Sequence, residues 1–338
     1  MKIANINTSK KVFIIAEIGN NHEGNFDLAK KMIIAAAATG VDAVKFQTFI
    51  PEHFVSSEDE IRLKRLKKFQ LSFEEFKELS KIAKSKRLIF FSTPLDIKSA
   101  IFLNTIQPIF KISSGDNNFY PLIEKVASFN KPMIISTGVA DLEMIKKVYR
   151  KISKVWQTKK MINKNLAFLH CVGSYPVPID QANLASIIYL KKHFPDIVIG
   201  YSDHTVGTEA SVLSVLAGAR IIEKHFTLDK NYSDFRDHHL SADPKDMKLI
   251  VNKIRKIEKI FGKEEKKIQI CEKEMKILGR RSIAIAHNLS AGSKLKLTDI
   301  TWVRPGKGFF PGQEKIILGK KICRDLKIGD ILKKSDFK

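Results

Sequence analysis

The chain has 338 residues, 44% hydrophobic and 28% charged, which supports a sizeable core, excludes wholesale disorder, collagen and coiled coil, and suits one α/β barrel plus a small module. Lys and Arg total 59 against 36 Asp and Glu, a formal charge of +23, a balance compatible with nucleic acid, a membrane surface or an acidic substrate as partner. The excess is mostly lysine, strung along 62–68 and 147–160 with no interleaved aromatic platform and no nucleic-acid motif, so a solvated surface is expected there and no specific nucleic-acid partner.

The first stretch, MKIANINTSKKVFIIAEIG, breaks its apolar run at Glu17. No run approaches the roughly 18 to 20 apolar residues of a membrane span, so neither a signal peptide nor a membrane segment is expected. Short β-branched runs then alternate with helical-period segments to about residue 262. Eight of these runs are predicted strands: Val12–Ala16, Asp42–Phe46, Leu88–Phe91, Ile109–Ile112, Met133–Ser136, Leu166–Leu169, Ile197–Gly200 and Arg220–Lys224. Eight βα units predict a closed TIM (β/α)8 barrel over residues 1–262. Between them, Ser72 with Glu75 has the spacing of a capping box, and Asp243-Pro244 reads as N-cap and first helical position. Ile250, Ile254, Ile257 and Phe261 then form one helix stripe that Gly262 stops. Residues 263–279 turn Lys/Glu-rich and lose the alternation, which predicts a linker. From 280 to 338, strand-like pieces (SIAIA, DITWVRP) and glycine turns predict a small β-rich module. At about 60 residues it is marginal alone and is expected to dock on its own barrel or a partner's. Cys171, Cys271 and Cys323 form no CxxC pair, so neither a disulfide framework nor a zinc knuckle is expected, and the location expected is a reducing cytoplasm.

In such a barrel the C-terminal strand ends converge on one mouth, where active sites form. Every predicted strand ends in polar or ionisable residues: Glu17, then Lys45 and Gln47, then Thr93, then Lys111 with Ser114 and Asp116 beyond it, then Ser136, His170-Cys171, Ser202-Asp203-His204 and Glu223-Lys224-His225. Structural polar residues scatter, whereas these mark the same end of each strand. Lys45 and Lys111, flanked by Thr93, Ser114 and Ser136, form a cationic pocket rich in hydroxyl donors, suited to a small phosphorylated acid. An isolated histidine is more often structural than a ligand, but His204 and His225 end adjacent strands, a placement in which two imidazoles share a divalent metal and leave positions for water and substrate oxygens. His22 and His170 are weaker candidates, expected to be supporting or structural. Glu17 has no neighbouring Arg in sequence and faces the cationic mouth, which marks it as the proton-transfer group. No GxGxxG, Walker loop, GxSxG or HExxH motif occurs, which argues against hydride transfer, ordinary NTP hydrolysis, serine hydrolysis and zinc peptidase chemistry.

The ordered series AEIGNNHEG, AVKFQT, FSTP, FKISSGDNNFYPLI, ISTG, LHCVGSYP, GYSDHT and EKHFTLD, with WVRPGKG in the tail, resembles the N-acetylneuraminate (sialic acid) synthase family, including pseudaminic and legionaminic acid synthases and spore-coat polysaccharide relatives. The resemblance spans nearly the whole chain and implies a TIM barrel followed by an antifreeze-like (SAF) domain. It also implies condensation of phosphoenolpyruvate with an N-acylated amino-sugar aldehyde, giving a nonulosonic acid and phosphate. By the same resemblance, His204 and His225 match the ligands of a manganese or magnesium ion and Glu17 the general acid/base. Lys45, Lys111, Thr93, Ser114 and Ser136 match positions around the carboxylate and phosphate, and Gln47, Tyr175 and Asp237 positions around the acceptor. Arg304 matches a tail-domain arginine that reaches the neighbouring subunit's site, which implies a domain-swapped homodimer.

Two departures stand out against that pattern. Gly173 replaces the Asn, Thr or Ser usual in relatives, which removes a polar contact, and Asp234-Phe235-Arg236-Asp237-His238 replaces a Gly-Pro-Asp stretch, which alters the size and charge of the acceptor pocket. Two other readings compete. A condensing aldolase on a phosphorylated sugar, of octulosonate-phosphate type, is disfavoured by the antifreeze-like tail. A non-catalytic carbohydrate-binding barrel is disfavoured by retention of Glu17, both lysines and both histidines.

Overall fold

A computed structural model describes residues 1–161 and 165–337. The chain divides into two compact units, Met1–Gly262 and Lys263–Lys338. The first opens with a hairpin of β1 (Lys2–Ile3) and β2 (Ile6–Asn7) that has no counterpart in the sequence reading. Eight parallel strands follow: β3 (Phe13–Gly19), β4 (Ala43–Thr48), β5 (Ile89–Pro94), β6 (Phe110–Ile112), β7 (Met133–Ser136), β8 (Leu166–Cys171), β9 (Val198–Asp203) and β10 (Ile221–His225). They form one sheet in the order β5-β4-β3-β10-β9-β8-β7-β6, a nearly closed barrel with helices outside it. Its two ends, β5 and β6, lie side by side. At that seam the buried Gln107 side chain takes the place of a ladder partner, accepting from the Ser92 N–H (2.7 Å) and donating to the Ser92 carbonyl (3.2 Å).

Several strands run beyond the predicted ends: β3 continues to Gly19, β5 to Pro94, β8 to Cys171 and β9 to Asp203. The predicted bounds of these four strands stop at Ala16, Phe91, Leu169 and Gly200, before the polar residues of the mouth. In the barrel those residues stay in the ladder, because a strand alternates faces and the lumen, unlike an ordinary core, ends in a polar mouth. Phe13, Ile15, Ala43, Phe91, Ile109, Ile134, Ala167 and Ile221 form an apolar cluster inside the barrel, which Ile3 of the hairpin joins. Two residues further along each strand, on the same face, come Glu17, Lys45, Thr93, Lys111, Ser136 and Glu223. The opposite strand faces, including Ile14, Ala16, Val44, Phe46 and Phe168, pack under the helices in the main core.

The helices carry the predicted caps. Ser72 and Glu75 form a reciprocal capping box on helix Phe73–Ser85, and Asp243 caps helix Pro244–Phe261 with Pro244 at its start. Of the predicted stripe, Ile250 and Ile254 are buried, joined by Met247 and Val251, while Phe261 is exposed. The second unit contains β11 (Ser282–Ile285) paired antiparallel with β12 (Ile300–Val303), and a core of Ile283, Ile285, Leu295, Ile317, Ile322 and Leu332. Residues 263–279, expected as a linker, belong to this unit and include the helix Lys273–Leu278. All three cysteines are free, and among the described residues no helix is long and apolar enough to cross a membrane.

Truncating Gln107 to Ala leaves the Ser92 N–H and C=O without a partner in a buried seam. Unfolding free energy should fall by about 2 kcal/mol, measured by urea denaturation. An unchanged midpoint would mean that the seam is sealed by other contacts.

Candidate active site

The inner face of the strand ends gathers four buried charges. Lys45 Nζ lies 2.9 Å from Glu17 Oε1, 3.5 Å from Glu223 Oε2 and 3.2 Å from Thr93 Oγ1. Lys111 Nζ lies 3.3 Å from Glu223 Oε1, which also accepts from Ser202 Oγ at 2.8 Å. Glu223 therefore bridges both lysines across the lumen. The strand β3 carries an irregularity between Glu17 and Gly19, where the register with β4 shifts. Gly19 has φ +55°, and a Cβ there would come within 3.2 Å of Glu17 Oε1, so glycine lets the strand bend while the carboxylate keeps its place.

The two carboxylates share their cations unequally. Burial pushes Glu17 up to about 7, helped by the negative charge of Glu223 and opposed by Lys45. Glu223 is itself buried, but Lys111 and Lys45 and the Ser202 hydroxyl hold it down to about 2. Burial works against the charge of Lys45, yet Glu17 and Glu223 hold it above the usual lysine value, whereas burial and Lys45 pull Lys111 below it. Glu223 keeps Lys45 charged whichever form Glu17 takes. The pocket thus holds the Lys45 ammonium on a fixed Glu223 carboxylate, a Lys111 whose charge burial opposes, and, near neutral pH, a Glu17 carboxyl poised to exchange a proton. Three oxygens of these residues are buried without a hydrogen-bond partner, Glu17 Oε2, Glu223 Oε2 and Ser136 Oγ.

Beside this pocket the rings of His204 and His225 lie 5.4 Å apart. His204 Nδ1 meets the Val172 carbonyl at 2.9 Å, which fixes that nitrogen as donor and leaves Nε2 with its lone pair. Burial holds His225 well below the usual imidazole range, and its Nδ1 is buried without a partner. Among the described residues no cluster of three or more His, Cys, Asp or Glu is arranged to hold a metal ion. Two imidazoles, one anchored through Nδ1 to a carbonyl and the other carrying an orphaned buried nitrogen, nevertheless fit a divalent ion that takes its remaining ligands from water and substrate. Tyr175 stacks on His204 at 4.1 Å, and Arg236 lies over the other side of the site, 4.6 Å from the Tyr175 ring.

A mouth cavity of about 540 Å³ is lined by residues including Asn20, Gln47, Ser114, Tyr175, His225 and Asp237. Gln47 accepts from Asn20 at 2.8 Å and faces Glu17 at 3.5 Å. Ser114 Oγ accepts from the Gly138 N–H at 3.1 Å. Asp116 turns back to accept from Ser113, and burial raises its carboxyl. Three further histidines are held by neighbours: His22 Nδ1 accepts from the Gly24 N–H, His170 Nε2 meets the Ala182 carbonyl, and His238 sits between Thr227 and Glu23, while Nε2 of His22 and of His238 has no hydrogen-bond partner. A Cβ at position 173 would come within 2.7 Å of a Val139 methyl, so the missing side chain there is matched by a neighbour that fills its place. Arg304 is exposed in the second unit.

Two groups escaped the sequence reading. Glu223 was named only as part of a strand end, although its two-residue spacing from His225 puts both on one strand face. Arg62 and Arg65, expected on a solvated surface, line the mouth cavity from helix Glu60–Phe69. Sequence spacing gives no sign of that, because the helix belongs to a long βα connection.

Residues 32–266 match the NeuB family and residues 280–338 the SAF domain. The chain belongs to the NeuB family. N,N'-diacetyllegionaminic acid synthase of Campylobacter jejuni is 36% identical, covering 96% of this chain and 99% of its own. Pseudaminic acid synthase of the same species is 35% identical, with all of both chains covered. The crystal structure of an N-acetylneuraminic acid synthetase from Leptospira borgpetersenii, in complex with citrate, superposes with a TM-score of 0.75 at 34% identity, covering 81% of this chain and 94% of that one. A barrel of this kind followed by a SAF domain is therefore a synthase-type enzyme of the family, one that forms nonulosonic acids by condensation.

The raised Glu17 value sets a sign for stability. The folded state holds a proton on Glu17 that the unfolded chain has released, so this contribution is full below about pH 4.5 and is lost as pH rises through about 7. Relative to Glu17→Gln, the wild-type melting temperature should drop steadily across that window and level off above it. A flat difference between the two curves would mean that Glu17 titrates normally.

Proposed function

We propose that this enzyme condenses phosphoenolpyruvate with the open-chain aldehyde of an N-acylated amino sugar, N-acetylmannosamine or a related 6-deoxy di-N-acetyl hexose, to give a nonulosonic acid and phosphate. The observation that carries this reading is the buried Lys45–Glu223–Lys111 bridge beside the His204 and His225 imidazoles at one barrel mouth. Relatives named as legionaminic and pseudaminic acid synthases over the whole chain length support it.

Lys45 and Lys111 hold the carboxylate and phosphate of phosphoenolpyruvate, with the Thr93, Ser114 and Ser136 hydroxyls completing the anion's hydrogen bonds. The excess of positive charge left by a protonated Glu17 favours entry of a multiply charged anion. Gln47, Tyr175 and Asp237 orient the acceptor over it, with Asp116 in the turn after β6 that also carries Ser114. A manganese or magnesium ion on His204 and His225 would supply Lewis-acid polarisation of the aldehyde oxygen. C3 of phosphoenolpyruvate forms the new bond to the aldehyde carbon as the C2=C3 π bond opens, and the aldehyde oxygen takes the proton that Glu17 carried. Water adds at the electron-poor C2 and gives a proton back to Glu17, poised near neutral pH; collapse of the adduct to the ketone breaks the C–O bond to phosphate, and the C2 hydroxyl proton leaves with the released phosphate. Arg304 belongs to the same reading as a contribution from a partner subunit's tail in a domain-swapped homodimer, as does a cytoplasmic location.

Mixing the purified protein with phosphoenolpyruvate, manganese and a panel of these sugars should release phosphate and yield a nonulosonate mass with one of them. His225→Ala should cut the metal-dependent rate at least a hundredfold, and manganese binding followed by titration calorimetry should weaken in parallel. Phosphate release from no acceptor, with an intact fold, would sink the reading. For the tail, Arg304→Ala and Glu17→Ala homodimers should each be nearly inactive, while mixed dimers recover up to about a quarter to a half of the wild-type rate. No recovery on mixing would place Arg304 outside the partner's site.

A further inference from the structure

The two imidazoles of the site are not held alike. His225 is the last residue of β10 and pairs in the ladder with Glu17 of β3, whereas β9 ends at Asp203, so His204 lies one residue beyond its strand. Ladder register therefore fixes His225, and the placing of His204 against it falls to whatever anchors the segment after β9. On the outer face of the same two strands, the face that carries Tyr201 and Ile222 into the main core, Asp203 and Lys224 are cross-strand neighbours. Each stands one residue before a histidine, and both are buried.

Between them, these two side chains hold the backbone of Thr205 on both sides. Asp203 Oδ1 accepts from the Thr205 N–H and from Thr205 Oγ1, both at 2.8 Å, and Lys224 Nζ donates to the Thr205 carbonyl. The pair itself is 3.1 Å apart, and Asp203 Oδ2 also accepts from Ser211 Oγ at 2.6 Å, which ties it to helix Glu209–Leu216. The amide held by Asp203 belongs to the peptide that joins His204 to Thr205. The carbonyl of that same peptide accepts from the Val177 N–H at 3.0 Å, so both its polar groups are fixed. A buried ion pair is a weak device for stability, since apolar side chains of the same volume often serve as well or better. Apolar side chains in these two places would leave the Thr205 amide and carbonyl unheld, and that grip is what the charges add.

Resting on the metal site of the synthase reading above, we infer that Asp203 and Lys224 are positioning residues for the divalent ion: acting through Thr205, the pair sets the His204 imidazole against that of His225, and it touches neither the ion nor a substrate. Groups that orient a metal ligand from behind govern affinity for the ion. Lys45 and Lys111 stand on β4 and β6, outside this brace, so the anion pocket does not depend on it.

The neutral double variant Asp203→Asn/Lys224→Met keeps the volume of both side chains and an oxygen for the Thr205 N–H, but loses the hold on the Thr205 carbonyl. Manganese alone is titrated into the full-length protein, with the free ion read from its electron paramagnetic resonance signal. The dissociation constant should rise about tenfold or more in the double variant, the order expected when a group that orients a ligand is lost. Phosphoenolpyruvate titrated calorimetrically without metal should bind within about twofold of wild type, because its cations are untouched. Thr205→Val removes only the Oγ1 donor and should weaken manganese binding by about threefold, the worth of one hydrogen bond. Thermal melts check both folds, and if the double variant is unfolded the valine variant decides. Manganese affinity equal to wild type in the folded variants, or manganese and phosphoenolpyruvate weakened to the same degree, overturns the inference and leaves the synthase reading standing. Wild-type protein that binds no manganese overturns the inference together with the metal site. Failure of the synthase reading shows separately, as phosphate release from no acceptor.

Discussion

Four charges taken out of water at one level of a barrel set the terms for the rest of the structure. Glu17, Lys45, Lys111 and Glu223 are each almost wholly buried, and an unpaired ion in such a place costs several kcal/mol. They come from β3, β4, β6 and β10, so their mutual contacts exist only if the sheet curls round until β6 faces β10 across the lumen. A slip of one residue in any of these strands would turn its charge outward under the helices and bring an apolar side chain into the mouth. The bend at Gly19 and the Gln107 amide at the seam serve the same requirement: each keeps a strand end where the ion lattice needs it. The apolar layer below, closed at the bottom by Ile3, keeps water from reaching the charges from that side.

The barrel was legible because its two periodicities are strong. Eight β-branched runs separated by capped helices leave few alternatives, and all eight occur as strands. Their ends were misjudged for a physical reason. Polarity was taken as the sign of a strand stopping, but in a barrel mouth the ladder continues while its inward side chains change from Phe13 and Ile15 to Glu17. The first hairpin was invisible because two-residue strands carry no period, and Ile3 is identified as a plug only by what surrounds it. In the second unit, SIAIA and the strand through Ile300–Val303 were readable by alternation, whereas the isolated bridges that complete it, such as Leu289 with Leu326 and Ile322 with Phe337, join residues too distant for any local signal.

At the site, the residues that strands present could be read and the contacts between them could not. Lys45 and Lys111 were expected to hold an anion, and they lie together; that a carboxylate bridges them was not expected, because Glu223 looked like one more polar residue before His225. Counting by twos would have placed it. Asp203 and Lys224 show the complementary case: one residue out of phase with their histidine neighbours, they turn outward and pair with each other at 3.1 Å, buried beneath the helices. Parity along a strand therefore separates residues available for chemistry from those that brace them, a distinction that residue type alone does not make.

Strand and loop residues also differ in how freely they can change. The lysines, Glu17, Glu223 and His225 are fixed by ladder register and by one another, so replacing any of them disturbs the whole lattice. The rim is built from a helix in the β4 connection and the segment after β10, whose local structure depends on little else: Phe235 packs edge-on to Phe69 at 5.3 Å, and Arg236 rests on Tyr175. Substitutions there alter the charge and width of the entrance without touching the anion pocket. The same holds for Gly173 and Val139, two loop residues that occupy one space between them. A floor of interlocked strand residues under a rim of independent loop residues lets the entrance change its width and charge while the buried lattice beneath it stays fixed.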